Sequence, residues 1–363
     1  MKLKTTLEKE VYTKVIKPIL FKKDPEEVHS RFIKLGKFLG NHKTAKAAIS
    51  YLFNYSNEKL NQDLLGIQFK NPVGLSAGFD KNAEIISILE DVGFGFAEVG
   101  SISAKPCAGN QGKRLDRIPE KQSLWVYYGL MNNGADIITQ KLKQNSYRIP
   151  YGISIAPTNC KENLDVTKAI QDYTTTLEKS KNLPDYITIN ISCPNAESSQ
   201  PFLIPENLEN LLKRIVALKI KKPIFLKLSP DKDKEIINKI LKLAHKYKIQ
   251  GIICTNLTKK HDRKKGGLSG KYLEKLSNAL LKHVYQEKLK HNYDFILIGV
   301  GGIFSGQDAY HKIKLGANLV QLITGMIYNG PSLISEINQD LVKLLEKEGY
   351  NNISEAVGKE IIY

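Results

Sequence analysis

Eight short apolar runs recur between residues 72 and 323, and this repetition constrains the fold more than any other feature of the sequence. In chain order the runs cover residues 72–77, 96–101, 151–155, 186–191, 223–228, 251–255, 295–300 and 318–323. Amphipathic helical patterns separate them, as at 235–247, where the apolar residues form one stripe and the lysines face outward. Alternating strands and helices predict a parallel sheet, and eight repeats favour a closed (β/α)8 TIM barrel over an open doubly wound sheet.

The segment before the first run has no strand pattern and contains only helical segments. Asp24 is a good N-cap residue, Pro25 suits the first helical position, and Glu26 and Glu27 fall in the first turn, where the helix dipole favours acids. We therefore predict a small helical domain over residues 1–62, followed by the barrel over residues 63–363.

Composition excludes several classes of protein. An apolar content of 42% supports a packed core rather than disorder. The 54 basic and 37 acidic residues give a net charge of +17, but the lysines are scattered through nearly every predicted helix as solvated faces. The charge is compatible with an anionic membrane surface, nucleic acid or an anionic substrate. We favour a general lysine-rich composition without a specific partner, and expect no nucleic-acid partner.

The four cysteines lie far apart and form no C-x-x-C pair, so neither a metal site nor an iron–sulfur cluster is predicted. They are typical of thiols in a reducing compartment. Charges interrupt the first ten residues, and apolar residues nowhere run long enough to span a bilayer. We expect a cytoplasmic protein, or one attached to a membrane from that side.

Barrel enzymes assemble their active sites at the C-terminal ends of the strands, and unusual residues stand there. The first run leads into Ala77, Gly78 and Lys81, which would let backbone approach a flat ligand and supply a cation. Lys227 lies inside the fifth run, where a charge is costly without a partner. It could face the N1–C2 edge of a reduced flavin. The alternatives are an ordinary glycine turn with a surface lysine, and a structural ion pair for Lys227.

Two further strand ends carry glycine or thiol chemistry. The seventh run is followed by Gly302 and the eighth by Thr324, and bare backbone N–H groups at these two ends are where barrels usually bind phosphate. The fourth run ends in N-I-S-C-P-N, where Asn190 and Asn195 flank Cys193. Beside cationic groups this thiol would have a lowered pKa and act as an acid or base. The alternative is a small buried hydrophobic side chain.

Taken together, the motifs resemble the dihydroorotate dehydrogenase family over nearly the whole chain. The strings N-P-V-G-L-S-A-G-F-D-K, G-G-L-S-G, I-G-V-G-G-I and N-G-P follow in the family's order, and L-F-K-K-D-P-E-E-V-H resembles the N-terminal extension of its membrane-associated, quinone-using class. The resemblance implies a role in pyrimidine biosynthesis. It also implies that FMN lies over the barrel mouth and takes a hydride from dihydroorotate. The electrons would then pass to a quinone that enters under the N-terminal helices.

Carried over position by position, the resemblance also implies site residues. For FMN they are Ala77, Gly78, Lys81, Ser101, Asn190, Lys227, Thr255, Gly270, Gly302 and Thr324. For the substrate they are Lys81, Asn190, Asn195 and Asn256. Cys193 matches the proton-transferring base, and Arg117 matches an arginine near the quinone path.

Four positions depart from the family pattern. Cys193 stands where the quinone-using class has serine, although the soluble classes have cysteine there. Val126 replaces an asparagine, Leu257 replaces a hydroxyl residue, and Ser154 replaces an FMN-contacting asparagine. A site that binds a polar ligand loses discrimination when its partners become apolar. The residues expected to contact the cofactor therefore match the family pattern better than the residues expected to contact the substrate.

Three alternatives remain open at this point. The first is a paralogue with the same flavin chemistry and a less polar substrate. The second is a relative of tRNA dihydrouridine synthases, which the N-x-x-C-P string resembles; the lysine-rich segment 259–265 would then contact RNA. Only about 40 residues follow the last run, which leaves no room for the separate RNA-binding domain of that group. The third is a non-catalytic flavin-binding protein.

Overall fold

A computed structural model describes residues 2–196 and 201–361, and its first part is helical, as the sequence predicts. The helices are α1 (Lys2–Val11), α2 (Lys17–Phe21), α3 (Pro25–Gly40) and α4 (Lys43–Phe53), with a π-helical turn at Tyr12–Ile16. The predicted cap of α3 is confirmed, because the Asp24 carboxylate accepts hydrogen bonds from the backbone N–H groups of Glu26 and Glu27.

The strands that follow form a closed parallel barrel and two small antiparallel sheets. In chain order they are β1 (Gln62–Leu64), β2 (Ile67–Phe69), β3 (Val73–Leu75), β4 (Phe96–Ile102), β5 (Leu115–Ile118), β6 (Ser123–Val126), β7 (Tyr151–Ile155), β8 (Tyr186–Asn190), β9 (Ile224–Lys227), β10 (Gly251–Cys254), β11 (Gly267–Gly270), β12 (Ile296–Val300) and β13 (Leu319–Leu322). The barrel closes in the order β3-β4-β7-β8-β9-β10-β12-β13. Each of the eight apolar runs contains one barrel strand, so the predicted (β/α)8 fold is confirmed.

Helices cover the outside of the barrel and bury their apolar stripes against it. They are α5 (Ile86–Val92), α6 (Gly134–Lys143), α7 (Val166–Ser180), α8 (Pro205–Ala217), α9 (Lys234–Lys246), α10 (Glu274–His291), α11 (Gly306–Lys314), α12 (Thr324–Asn329) and α13 (Ser332–Glu348). In α9 the predicted stripe is buried through Ile237, Ile240, Leu241 and Ala244. Burial of these residues supplies most of the driving force that holds each helix on the sheet.

The two small sheets close the two ends of the barrel. The β1–β2 hairpin covers the N-terminal end, where Phe69 packs on Phe96 and belongs to one apolar cluster with Tyr186 and Phe225, at or near the starts of their strands. The sheet β11-β6-β5, called here the lid sheet, lies over the C-terminal mouth. The eight-run pattern did not predict the lid sheet, because β5 carries two charged residues and β11 begins and ends in glycine, so neither forms an apolar run.

The N-terminal helices dock on the barrel and the lid sheet through specific polar contacts. Lys9 pairs with Glu336 of α13 at 2.6 Å, and the Glu26 carboxylate pairs with the Arg114 guanidinium. The same helices leave apolar side chains exposed, among them Ile19 and Phe38 at 57% and 59%. Within the part of the chain that the structure describes, no helix is long and apolar enough to cross a bilayer. A domain boundary after residue 62 stays a prediction.

Candidate active site

A cavity of about 200 Å³ opens at the C-terminal ends of the barrel strands, under the lid sheet. It brings together every residue that the sequence predicts for cofactor and substrate: Ala77, Gly78, Lys81, Ser101, Asn190, Cys193, Asn195, Lys227, Thr255, Asn256, Gly270, Gly302 and Thr324. Their convergence follows from the fold, because parallel strands deliver all their C-terminal ends to one face of the barrel.

Lys227 lies on the floor of this cavity at the end of β9. Its side chain is almost fully buried, and its Nζ lies 3.5 Å from Glu98 Oε1 and 3.3 Å from Ser76 Oγ. The sequence left a functional cation and a structural ion pair as alternatives for this lysine. The geometry combines them, since the ammonium is paired on the barrel side and lines the cavity on the other.

A network of amides and hydroxyls crosses the mouth of the barrel. Asn190 Nδ2 donates to Ser101 Oγ at 2.9 Å, and Asn256 Nδ2 donates to Asn190 Oδ1 at 3.0 Å. Ser154 extends the network, with its Oγ 2.8 Å from Ser101 Oγ. Asn195 Oδ1 is buried and has no hydrogen-bond partner among the described residues. Such an unsatisfied acceptor is costly unless a ligand supplies a donor.

Lys81 is a second buried cation in the cavity, not the surface lysine that an ordinary glycine turn would carry. Its Nζ lies 3.9 Å from the centre of the Tyr128 ring and makes no hydrogen bond within the described chain. Burial lowers the pKa of this ammonium to about 8, although the nearby Glu26 and Asp80 carboxylates raise it in part. An anionic group bound in the cavity would meet this charge.

Cys193 lines the same cavity, but its predicted low pKa is wrong. Burial raises the pKa of the thiol to about 11, because the thiolate would lose its hydration. The backbone N–H groups of Asn195 and Ala196 and the charges of Lys259 and Lys227 offset only part of this effect. The side chain is therefore a protonated thiol at neutral pH.

Glycines leave room for a ligand along one side of the cavity. Gly78 has φ +106°, and a Cβ added there would meet no atom within 4 Å, so it would enter the open space of the cavity. On the opposite side, Gly270 has φ +87° and lies next to the pair formed by Ser269 Oγ and Thr324 Oγ1 at 2.8 Å. Backbone N–H groups and hydroxyls of this kind suit phosphate oxygens.

Three of the four departures from the family pattern, Cys193, Val126 and Leu257, fall on the same cavity. Val126 of the lid sheet and Leu257 after β10 both line it, beside Leu130 and Met131. The wall facing the amides is thus apolar where paired hydrogen bonds were expected.

A second cavity of about 370 Å³ lies between the N-terminal helices and the barrel. Its lining is almost entirely apolar and includes Phe32, Leu35, Leu39, Ile49, Phe53 and Leu89. Arg117, which the sequence placed near the quinone path, lines this cavity and not the first. Its Nη1 donates to the carbonyl of Lys23 at 2.8 Å, and its guanidinium lies 4.7 Å from the Phe21 ring centre.

The two cavities share a wall. Both are lined by His29, Phe79, Leu115, Leu124 and Ile327. His29 Nε2 lies 2.8 Å from the carbonyl of Phe79, and burial together with the charge of Lys81 lowers the pKa of the imidazole to about 3. His29 is therefore neutral. Sequence reasoning gave it no role, although it ends the L-F-K-K-D-P-E-E-V-H string.

Comparison with known proteins agrees with this architecture. The family model described as dihydroorotate dehydrogenase matches residues 59–345. A Trichodesmium erythraeum protein named dihydroorotate dehydrogenase (quinone) is 34% identical over 96% of this chain and 98% of its own length. A protein of the same name from Christiangramia forsetii is 38% identical over 93% of this chain and 99% of its own.

Solved structures give the same result. The crystal structure of DHODH in complex with ferulenol from Eimeria tenella superposes with a TM-score of 0.82 at 27% identity, covering 93% of this chain and 96% of the other. The fold and the site thus define a (β/α)8-barrel oxidoreductase with its active site at the strand C-termini. More specifically, the chain belongs to the dihydroorotate dehydrogenase family, whose members are flavoproteins. The tRNA-modifying and less polar-substrate alternatives are not favoured by these similarities.

Proposed function

We propose that this protein binds FMN, oxidises dihydroorotate to orotate and delivers the electrons to a quinone. One observation carries the proposal: a cavity that contains the polar groups of Lys227, Lys81 and Cys193 shares a wall with an almost entirely apolar cavity that contains Arg117. Oxidation of a polar anion and reduction of an apolar acceptor need two such environments side by side.

The residues of the first cavity fit FMN. Lys227 would face the electron-rich edge of the ring system, the open space beside Gly78 would admit a flat ring, and Gly270, Gly302 and Thr324 would receive the phosphate. FMN supplies the hydride acceptor and the two-electron store. The protein supplies the orientation of that acceptor and the exclusion of water from it.

The remaining polar groups fit a cyclic, anionic substrate. The Lys81 ammonium would pair with the carboxylate of dihydroorotate, and Asn190, Asn195 and Asn256 would bind its ring amides. Cys193 would remove a proton from the substrate carbon next to the one that loses hydride. Because the pKa of its thiol is about 11 in the ligand-free site, only a small fraction is thiolate at neutral pH.

The second cavity suits a quinone. Its apolar lining matches the ring and chain of such a molecule, and Arg117 offers a charged donor for a carbonyl oxygen. The exposed apolar side chains of α1, α3 and α4 support peripheral contact with the cytoplasmic face of a membrane, from which a quinone would enter.

An anaerobic half-reaction tests the proposal. Purified protein should be yellow and release FMN on denaturation. Dihydroorotate should bleach the flavin, and a soluble quinone should restore its colour. Purified protein without flavin would refute the proposal. If dithionite reduces the flavin but dihydroorotate does not, dihydroorotate is not the substrate.

A variant tests the base. Cys193→Ser should keep FMN bound and slow flavin reduction by dihydroorotate strongly, because a serine hydroxyl ionises far less readily than a thiol and so supplies less of the anionic base at neutral pH. Cys160→Ser, at a partly exposed cysteine outside the cavity, is the matched control. Unaltered reduction kinetics in Cys193→Ser would refute the assignment.

A further inference from the structure

A charged and polar cluster fills the interior of the barrel directly beneath the cavity floor. Its members come from four strands: Glu98 on β4, Tyr186 and Thr188 on β8, Lys227 on β9 and Gln321 on β13. All five side chains are buried, and below them the barrel is packed with aromatic and aliphatic groups. Burying a carboxylate at this depth costs several kcal/mol unless its partners compensate.

The two oxygens of the Glu98 carboxylate have different surroundings. Oε2 accepts hydrogen bonds from Thr188 Oγ1 at 3.0 Å, Gln321 Nε2 at 3.2 Å and Tyr186 OH at 3.4 Å. Burial, together with the Glu98 carboxylate, raises the pKa of Tyr186 well above its usual range, so the phenol stays a donor. Three neutral donors therefore fix this oxygen in place.

The other oxygen of the Glu98 carboxylate is paired with Lys227. Oε1 accepts no hydrogen bond from the described residues and lies 3.5 Å from Lys227 Nζ, which also reaches Ser76 Oγ on the cavity side at 3.3 Å. Within the described chain Glu98 is the one carboxylate within 4.0 Å of this ammonium. The lysine is thus held between a fixed anion below and the cavity above.

We propose that Glu98 is a positioning residue that sets the charge of the cavity floor and thereby lowers the reduction potential of the flavin bound there. This inference rests on the proposed function, in which Lys227 faces the flavin. Two-electron reduction adds negative charge to the ring, and a nearby cation favours the reduced form. Glu98 offsets the positive field of Lys227, so the reduced cofactor remains a strong donor to the acceptor in the second cavity.

The holoenzyme variant Glu98→Gln separates this role from simple packing. The amide keeps an oxygen for the three donors and removes the negative charge. We expect FMN to stay bound and its two-electron midpoint potential, measured by dye-equilibrated reductive titration at pH 7, to rise. A tenfold gain in the affinity for reduced over oxidised flavin corresponds to about 30 mV, and the shift should be at least that large.

Thr188→Val is the matched control, because it removes one hydrogen bond to the same carboxylate and leaves the charge. It should lower the melting temperature and leave the potential at the wild-type value. If Glu98→Gln does not fold, Glu98→Asp replaces it; the carboxylate then lies one methylene farther from Lys227, and a smaller positive shift is expected.

The outcomes are distinguishable from failure of the proposed function. Wild-type protein without FMN would reject that function. Wild-type protein with FMN, combined with an unchanged or more negative potential in the folded Glu98 variant, would overturn the role of Glu98 alone.

Discussion

The two cavities that meet at His29 and Phe79 are built in opposite ways. The first collects lysines, amides and glycines from the ends of barrel strands, whereas the second is formed by apolar side chains of α3, α4 and α5 with Arg117 as a cation. Strand ends hold side chains rigidly, which suits proton and hydride transfer over short distances. An apolar space between helices can accept apolar ligands of different shape and length.

The composition of the shared wall suggests how oxidation of the substrate and reduction of the acceptor would be kept apart. Its five residues are apolar except for His29, which is neutral because burial holds its pKa near 3. In the proposed function, electrons would cross this wall over a short distance, and its apolar side chains would keep the charged substrate out of the second cavity. Each half-reaction should therefore respond to changes in its own cavity and not to changes in the other.

The largest expected difference between the cavities is their response to pH. In the proposed function the thiolate of Cys193 is the base, and a folded pKa of about 11 means that the thiolate fraction rises about tenfold per pH unit from pH 7 toward pH 10. Flavin reduction by dihydroorotate should rise with the same slope up to about pH 8, above which the Lys81 ammonium that would pair with the substrate carboxylate loses its proton. Reoxidation by a quinone should show no such slope, and stopped-flow absorbance measures both steps. A flat profile for the reductive step would remove Cys193 as the titrating base.

A methyl group placed in the first cavity should weaken FMN binding. Gly78→Ala puts its Cβ into the open space where a flat ring would lie, and overpacking costs about 2 kcal/mol, or about thirtyfold in affinity. Fluorescence titration of the apoprotein with FMN measures this change.

Gly66→Ala is the control for backbone strain. Gly66 also has a positive φ, +76°, and an added Cβ would likewise meet nothing within 4 Å, but it lines neither cavity. Both variants should lose about 1 kcal/mol of stability from the left-handed conformation. Equal FMN affinities in the two variants would show that Gly78 does not border the flavin.

The same contrast explains which parts of the molecule the sequence predicts. The barrel was predictable because each strand is a short apolar run, and the first cavity was predictable because strand ends converge whatever the loops do. Residues such as Lys227 and Cys193 stand out locally, since a charge or a thiol at a strand end has few structural reasons to be there.

Other features depend on distant parts of the chain and give no local signal. The pKa of Cys193 is set mainly by burial in the folded barrel, so the expectation of nearby cationic groups suggested the wrong direction. Glu98 lies inside the second apolar run, but the sequence of that run does not show which strand across the barrel supplies its partner. The second cavity is lined by ordinary apolar residues on several helices, which look like core in the sequence.

Filling the second cavity should slow only the oxidative half-reaction. Val28 on α3 is nearly buried and lines the second cavity but not the first. Val28→Trp should therefore occupy the space of an acceptor. A cost of about 1.4 kcal/mol in acceptor binding is about tenfold in the KM for a short-chain quinone. Flavin reduction by dihydroorotate should keep its wild-type rate. The control is Val216→Trp on the exposed face of α8. Slower flavin reduction in Val28→Trp would mean that the cavities are not independent.

The smallest expected effect concerns the apolar wall of the first cavity. Val126→Asn restores a carboxamide opposite the three site asparagines, and one added hydrogen bond of about 1 kcal/mol should lower the KM for dihydroorotate about fivefold. The KM for the quinone should not move. Val126→Ala, which removes bulk without adding a donor, controls for the change in volume. If the asparagine variant binds dihydroorotate no better than the alanine variant, position 126 does not reach the substrate. A carboxamide within reach of the substrate ring would make a hydrogen bond that valine cannot make.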